Sequence, residues 1–441
     1  MKILRLIAIL TFTLGGCDYE SSVNPNAEHS GLEIKKYSGD LAVKWNRLQM
    51  SISRTTPGFS IGAATRVYAY SGLTLYESVV KGIAGHRSVA SKMIGQDITH
   101  RPDCPIVFWP ASANAAMAAA LRSFIPTANA ANMARIDSLE QAFNEEFNKQ
   151  VPQKVLDNSI DYGKRIAEQI FEWSRSDGFA EAIAKNSSYV IPGGPGLWQP
   201  TPPAFLLPIN AFFGEIRTFV KNSPSITLAP PPIPYSEIVN SDFYNQVKYV
   251  YDYSQHLTPD EITIVKNWGE FPGHITNALH YIMIAIQLVD EADLPLDEAA
   301  IAFAKHNMAI QEGITCVFTS KYTYNVVRPI TYIRGVMGYS SWNTVNVTPA
   351  HPEYPAAHAV GGRASSRIME ITFGKHYSFT DKTHQSLYGA RTYSSPEAYS
   401  DESGWSRVLG GIHYVPSVAA GKKQGENVAN LINDLFGPGL K

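Results

Sequence analysis

Apolar residues recur at helical spacing along most of the chain. Between residues 62 and 85, for example, Val67, Tyr70, Leu73 and Tyr76 fall on one face of a helix with about 3.6 residues per turn. We find no run of alternating β-branched residues, and no Asn-Gly or Asp-Gly turn between such runs. Further helices are predicted over 113–124, 129–150, 153–177, 261–291 and 296–320. The pattern predicts a mainly α fold.

Two kinds of local signal divide this helical pattern. Two segments rich in Pro and Gly, 191–208 and 228–235, predict long loops. We expect them to separate an N-terminal helical layer, residues 38–210, from a C-terminal helical region, residues 211–441. Within the latter, a capping box predicts a helix start at Thr258-Pro259-Asp260-Glu261.

The first 16 residues have the parts of a secretory signal: two cations, a short apolar run and small residues before Cys17. The apolar run is shorter than the roughly 20 residues of a membrane-spanning helix. Leu14-Gly15-Gly16-Cys17 resembles a bacterial lipobox, in which the Cys is lipidated. We predict a signal peptide over 1–16, lipidation of Cys17 and a polar tether over 17–37; an ordinary cleaved signal is the alternative. The protein is then expected in the bacterial cell envelope, lipid-anchored, facing the periplasm or the surface.

The amino-acid composition excludes two classes of protein. Of 441 residues, 37 are basic, 39 are acidic and 17% are charged. A highly charged disordered chain and a nucleic-acid binder with a large net positive charge are therefore excluded. No later segment predicts a spanning helix, so we expect membrane contact only through the lipid anchor. For the other two cysteines, Cys104 and Cys316, a disulfide and two buried thiols both fit the sequence.

Three segments of the C-terminal region collect cations and imidazoles. Lys321 and Arg328 are two helical turns apart, so one continuous helix would place them on the same side, whereas Pro329 favours a helix end at Arg328. Arg407 and His413 lie six residues apart, and the glycines between them predict a bend. Three cations would repel one another unless an anion or carboxylates lay between them, and Arg suits tetrahedral oxoanions. The segments therefore predict a phosphate-like or vanadate-like ligand.

At these residues the chain resembles the superfamily of type 2 phosphatidic acid phosphatases and vanadium-dependent haloperoxidases. That signature is Lys-x6-Arg-Pro, then Pro-Ser-Gly-His, then Ser-Arg-x5-His, and here the three blocks begin at Lys321, Pro355 and Ser406. Order and internal spacing match. Segments at 66–77 and 195–203 are similar to the soluble bacterial haloperoxidase branch. The resemblance implies a multi-helix bundle of the haloperoxidase and acid phosphatase type.

The resemblance also implies a role for each motif residue. His413 would bond the vanadium of a vanadate cofactor or, in a phosphatase, attack phosphorus to give a phosphohistidine. His358 would be the acid–base group. The oxoanion would be held by Lys321, Arg328, Arg407 and the backbone N–H of Ala357.

We therefore predict a haloperoxidase-like oxidoreductase that oxidises halide with hydrogen peroxide and uses vanadate. A secreted acid phosphatase, which would hydrolyse phosphomonoesters without vanadate, is the alternative because phosphate and vanadate are nearly isosteric. A further alternative is a non-catalytic lipoprotein scaffold, because the second block departs from the signature.

The departures are Ala356 and Ala357, which stand where the superfamily has Ser and Gly. A missing hydroxyl removes one hydrogen bond, typically about 0.5–1.5 kcal/mol, so we expect weakened rather than abolished activity. Ala357 would also tilt its N–H if the position required positive φ. An acid–base histidine usually needs an orienting carboxylate, for which Glu270 and Glu353 are the candidates. Glu312 is expected to be structural.

Overall fold

The computed structural model describes residues 33–57, 59–93, 98–100, 106–271, 274–275 and 278–437. The predicted signal peptide, Cys17 and most of the predicted tether lie outside these residues, as does Cys104. Residues 34–37, the end of that tether, contact the folded body. Ile34 is buried in a 3₁₀-helix, Ile34–Lys36, and the ring of Tyr37 packs edge-on against Phe108.

Helices account for most of the described residues. The N-terminal part contains α1 (Asp40–Thr55), α2 (Ile61–Val79), α3 (Trp109–Phe124), α4 (Ala130–Phe147), α5 (Gln153–Ser174) and α6 (Phe179–Lys185). The C-terminal part contains α7 (Ser223–Ile226), α8 (Asp242–Ser254), α9 (Pro259–Asn267), α10 (Ala278–Glu291), α11 (Leu296–Tyr324), α12 (Pro329–Gly335), α13 (Ala357–Phe373), α14 (Gln385–Tyr388), α15 (Pro396–Leu409) and α16 (Val415–Phe436). Short 3₁₀-helices lie at Val80–Gly82, Ala90–Lys92, Asn186–Ser188 and Phe213–Glu215.

The prediction of a mainly α fold is confirmed, but one of the predicted helices is wrong. The segment 261–291, predicted as one helix, forms α9 and α10, because the chain leaves helical geometry after Asn267. Gly269 disfavours helix there, as does Phe271, which precedes Pro272. The capping box at the start of α9 is confirmed. The division of the chain near residue 210 stays a prediction.

A small two-stranded sheet was not predicted. Strands β1 (Phe379–Asp381) and β2 (Arg391–Tyr393) pair antiparallel, with Thr380 opposite Thr392. Three residues are too few to show an alternating pattern, so the sequence carried no signal for them.

Helix α11 is the buried centre of the molecule. Its 29 residues span about 44 Å, and it packs against α2, α13 and α16. Helices α13 and α16 approach closely, since a Cβ at Gly425 would lie only 2.2 Å from the Val360 carbonyl oxygen. Gln424 of α16 donates to Ser320 near the end of α11 (2.9 Å). For all this burial, neither α11 nor any other helix among the described residues has the length and apolar character needed to cross a membrane.

Candidate active site

Lys321 and Arg328 lie on either side of a change of direction between α11 and α12. Lys321 is in the last turn of α11, and Asn325 caps that helix with a φ of 48°. Arg328 is the N-cap of α12, with Pro329 at the first helical position. The two cations therefore do not share a continuous helix. Arg328 lies at a helix end, the alternative that Pro329 favoured.

Backbone hydrogen bonds hold this turn against two distant segments. The Trp198 N–H, in the Pro- and Gly-rich loop, donates to the Asn325 carbonyl (2.7 Å). The Glu353 N–H, two residues before the second motif block, donates to the Val326 carbonyl (2.9 Å). The loop and the segment that leads into the second block are thus attached directly to the first block.

The cations of the first block are hydrogen-bonded mainly to backbone carbonyls. Lys321 Nζ donates to the carbonyls of Pro352 (2.8 Å) and Glu353 (2.9 Å). Arg328 Nε donates to the His351 carbonyl (3.0 Å). Both side chains are fully buried. Because a carbonyl carries only a partial charge, these bonds fix the two cations without neutralising them.

The third block turns back on itself after α15. Arg407 is in the last turn of α15, and Gly411 follows with a φ of 75°. A Cβ at Gly411 would lie 2.9 Å from the Trp342 ring, so only Gly fits this turn. The predicted bend is confirmed, and it brings His413 Nε2 to 3.2 Å from Arg328 Nη1.

Glu353 orients His413. Its Oε1 lies 2.8 Å from His413 Nδ1 and accepts the Tyr414 N–H at 3.0 Å. Because the Arg328 guanidinium, 3.2 Å from Nε2, can only donate, His413 carries its proton on Nδ1 and holds a lone pair on Nε2. Glu353, considered in the sequence for the acid–base histidine His358, is paired with the other motif histidine.

His358 is held by a backbone carbonyl. Its Nε2 lies 3.1 Å from the Trp268 carbonyl oxygen, which also accepts from Arg407 Nη1 (3.4 Å). A carbonyl only accepts, so His358 Nε2 is protonated and Nδ1 is free to take a proton. Burial, and next the charge of Arg407, hold the pKa of His358 well below 6.5. Glu270 lines the same cavity, and its part in orienting His358 stays a prediction.

The N-terminus of α13 contributes backbone donors. Ala357 is the first helical residue and Ala356 is the N-cap, with no side-chain cap. Ala357 is helical, so the tilt that a positive φ would have imposed on its N–H does not arise. The first N–H groups of a helix lack intrahelical partners and carry partial positive charge, which favours an anion.

A cavity of about 340 Å³ joins these groups. Its polar end includes Ala357, His358, Arg407 and His413, and its mouth is marked by the exposed residues Ser60, Ile209 and Glu270. Lys321 and Arg328 are buried next to this wall and are not part of it. Much of the remaining wall is apolar: Ile310, Ile314, Val317 and Phe318.

The site carries excess positive charge. Burial, and next the charge of Arg328, lower the pKa of Lys321 far below its ordinary value. Burial also lowers the pKa of Arg328 to about 10 and raises that of Glu353 to about 7. The pKa of His413 is held well below 6.5 by burial and then by Arg328. Among the described residues, three basic side chains of the site therefore face one fully buried carboxylate, an arrangement that favours an anion.

Two contributors were not predicted. His351 occupies no signature position, yet its Nδ1 lies 3.1 Å from Arg328 Nη2. Trp268 acts through its carbonyl oxygen, which both His358 and Arg407 contact. A backbone carbonyl leaves no trace in residue type, so no sequence signal existed for it.

Glu312 has the structural role expected of it. Its carboxylate accepts from the N–H groups of Phe219 (2.9 Å) and Val220 (3.0 Å) and from the Ser223 hydroxyl (2.6 Å). These bonds fasten the chain before α7 to α11. The neighbouring Cys316 is a buried free thiol whose Sγ lies 3.6 Å from Ser223 Oγ.

Comparisons with known proteins agree with these motifs. The family model for the VCPO second helical-bundle domain matches residues 301–436. The structure of the first bacterial vanadium-dependent iodoperoxidase is 26% identical, with a TM-score of 0.79 over 92% of this chain and 97% of that one. No curated protein matches the sequence.

More distant structures share the fold. A holo-type bacterial vanadium-dependent chloroperoxidase is 14% identical, with a TM-score of 0.62 over 88% of this chain and 92% of that one. An apo-type structure of such a chloroperoxidase is also 14% identical, with a TM-score of 0.64 over 92% of this chain and 99% of that one. In its motifs, its second helical bundle and its overall fold, the chain is similar to the bacterial vanadium haloperoxidases, which supports its place in the vanadium haloperoxidase and acid phosphatase superfamily.

Proposed function

We propose that the protein is a vanadate-dependent haloperoxidase, an oxidoreductase that oxidises halide with hydrogen peroxide. The observation that carries the proposal is the convergence of three distant segments on one positively charged cavity. His358, Arg407 and His413 line it, and Lys321 and Arg328 are buried beside it. The solved relatives are vanadium iodo- and chloroperoxidases, which favours this chemistry.

The donor set fits vanadate. Arg407 Nε is buried with no hydrogen-bond partner in the described part of the chain, so it is available to an anion. His413 Nε2 has a lone pair for a metal, and the first turn of α13 adds N–H donors. Lys321 and Arg328 supply the remaining positive charge. Bound vanadate would supply a Lewis-acidic centre that activates hydrogen peroxide toward halide.

The residues of the chain would then divide the work. Glu353 keeps the lone pair of His413 Nε2 available by holding the proton on Nδ1. His358 Nδ1 takes and returns a proton inside the cavity. The buried cations stabilise negative charge without rearranging, because backbone carbonyls already fix Lys321 and Arg328.

A phosphatase requires the same arrangement, because His413 Nε2 is also oriented to attack phosphorus. The deciding experiment therefore has two arms. In the first, the purified protein receives orthovanadate, hydrogen peroxide and iodide or bromide, and halogenation of a phenol dye is followed. In the second, the protein without vanadate receives p-nitrophenyl phosphate.

We expect halogenation that requires vanadate, is lost in His413→Ala and persists in the control His376→Ala, which changes an exposed histidine. Phosphate hydrolysis inhibited by vanadate would establish the phosphatase instead. If neither activity is found and calorimetry detects no binding of vanadate or phosphate, the non-catalytic scaffold is the function that remains.

We also propose that lipidation of Cys17 holds the enzyme at the cell envelope. The lipobox-like sequence before Cys17 supports this. Radiolabelled palmitate should label the full chain in bacteria and should not label Cys17→Ser. Equal labelling of both proteins would contradict the proposal.

A further inference from the structure

Three consecutive apolar side chains project into solvent next to the mouth of the cavity. Phe205, Leu206 and Leu207, here called the apolar lip, are 61%, 56% and 71% exposed. Two residues later, Ile209 forms part of the cavity wall. Contiguous exposed apolar residues are uncommon on soluble proteins and often mark a binding site.

The apolar lip is held in place rather than loosely attached. Pro208, which follows it, is buried, and its carbonyl accepts from the Asn186 amide (2.7 Å). The Ile209 N–H donates to the Ala350 carbonyl (3.0 Å). Phe205 adopts a φ of 48°, an unfavourable conformation for a bulky residue. The chain thus maintains a strained backbone that displays an aromatic ring to solvent, a combination that favours a functional role.

The second side of the mouth is similar in character. Val347 is 67% exposed and lies two residues before Pro349, which lines the cavity. No Asp, Glu, Lys, Arg or His occurs in 186–214, which contains the apolar lip, or in 335–350, which contains Val347. Neither segment can recognise a charged partner by ion pairing, so together they favour a neutral, apolar ligand, whereas Glu270 lies elsewhere on the mouth.

We propose that the apolar lip and Val347 bind the apolar part of a neutral organic acceptor, such as an alkylated phenol, and direct its ring into the cavity. This rests on the proposed function. The cavity volume of about 340 Å³ lies in the range of small-molecule sites, and its wall continues the apolar surface inward through Ile314, Val317 and Phe318.

The reaction at this acceptor balances with the proposed product of halide oxidation. Hypohalous acid transfers its halogen to the ring: a carbon–halogen bond forms, the halogen–oxygen bond breaks, and the ring proton leaves with the hydroxide as water. The apolar lip would hold the acceptor close to the place where hypohalous acid forms. Halogenation would then compete with loss of hypohalous acid to solvent.

The test uses 4-alkylphenols from methyl to butyl. With the wild-type protein, KM should fall with each added carbon, by at most about fourfold for a fully buried methylene. In the variant Phe205→Asn, Leu206→Ser, Leu207→Ser this dependence should flatten. Asn tolerates a positive φ, so the backbone is retained. Iodide oxidation without an organic acceptor should be unchanged, because no residue of the polar end is altered.

Two further measurements separate this inference from the proposed function. Calorimetry of butylphenol binding to the protein without vanadate should show loss of affinity in the triple variant, whether or not either protein oxidises halide. The control Ile238→Ser, Val239→Ser removes an equally exposed apolar pair that is absent from the cavity wall, and it should bind like wild type. An unchanged chain-length dependence and unchanged binding in the triple variant would overturn the proposal.

Discussion

Helix α13 takes part in two buried clusters of charged side chains, which differ in how the charges are balanced. Near its middle, Arg363 lies 2.5 Å from Glu370, which also contacts Arg367 at 3.1 Å. Burial disfavours the Arg363 charge, yet the hydrogen bond that Arg363 donates to Glu370 raises the pKa of Arg363 above its ordinary value. At its N-terminus, the same helix faces Lys321, Arg328 and Arg407, whose pKa values are all lowered.

The difference shows which cluster serves stability and which serves a ligand. In the first cluster each buried charge has an opposite charge within reach, and Glu426, 3.4 Å from Arg363, gives two carboxylates for the two arginines, so the ligand-free protein is already balanced. In the second, the cations are hydrogen-bonded largely to carbonyls, and Glu353 is the one fully buried carboxylate among the described residues of that cluster. Such an arrangement is unfavourable until an anion enters, and sites of this kind exchange stability for function.

The largest expected effect comes from removing one cation from each cluster. Arg363→Met leaves Glu370 buried without its main partner and should lower the free energy of unfolding by about 3–5 kcal/mol. Lys321→Met leaves the Pro352 and Glu353 carbonyls without a donor but relieves repulsion with Arg328, so its cost should be smaller, about 1–2 kcal/mol. Urea unfolding without ligand measures both. Equal destabilisation by the two variants would show that the clusters do not differ.

Glu312, a third buried ionisable group, makes the stability of the folded protein depend on pH. Burial raises the pKa of Glu312 from 4.5 to about 7, so the folded protein holds this proton more tightly than the unfolded chain does. Its contribution to stability is therefore complete below about pH 4.5 and is lost as the pH rises through about 7. The gap corresponds to about 3 kcal/mol.

Glu312→Gln cannot titrate, so the difference in unfolding free energy between wild type and variant isolates this group. Relative to the variant, the wild type should be about 3 kcal/mol more stable at pH 4 than at pH 8. A difference independent of pH would show that Glu312 is not a buried titrating group.

The role of Glu353 can be separated from simple charge balance. Glu353→Gln allows the amide to donate to His413 Nδ1 and so favours the wrong tautomer, which should lower turnover on the order of 10²-fold. Vanadate affinity should fall by less than turnover, because the more positive site partly offsets the loss of the Nε2 lone pair. Steady-state kinetics and calorimetry distinguish the two, with Glu370→Gln as the control expected to keep wild-type turnover. Parallel losses in both Glu variants would point to general destabilisation.

The smallest expected effect restores a signature residue. Ala356 is the N-cap of α13 and makes no side-chain cap. Ala356→Ser should stabilise the ligand-free protein by about 1 kcal/mol if its hydroxyl accepts from the helix. If the hydroxyl instead donates to the oxoanion, vanadate affinity should rise by up to about tenfold. Thermal unfolding with and without vanadate separates these outcomes. If neither the stability nor the vanadate affinity changes, a Ser at this position has no advantage over Ala.

Helices and motif spacing were predictable because they depend on residues close in sequence. The capping box at Thr258 and the turn at Gly411 were read from local preferences that the fold retains. The break after α9 was missed because apolar periodicity continues across it while Gly269 and Pro272 interrupt the helix. The pairing of Glu353 with His413 was missed because the two lie 60 residues apart along the chain.

The amino-acid order alone determined that this chain is helical and that it carries Lys, Arg and His at the spacings of an oxoanion site. Those features follow from periodicity and from side-chain chemistry, which are local. Only the tertiary structure decided that Trp268 contributes a carbonyl, that Glu353 is the one acidic side chain in the described part of the chain that offsets the charge of Lys321, and that the apolar lip stands beside the cavity mouth. The charge state and the exposure of a side chain depend on its burial and on its distance from groups far apart in sequence. Both are fixed only when the helices pack together.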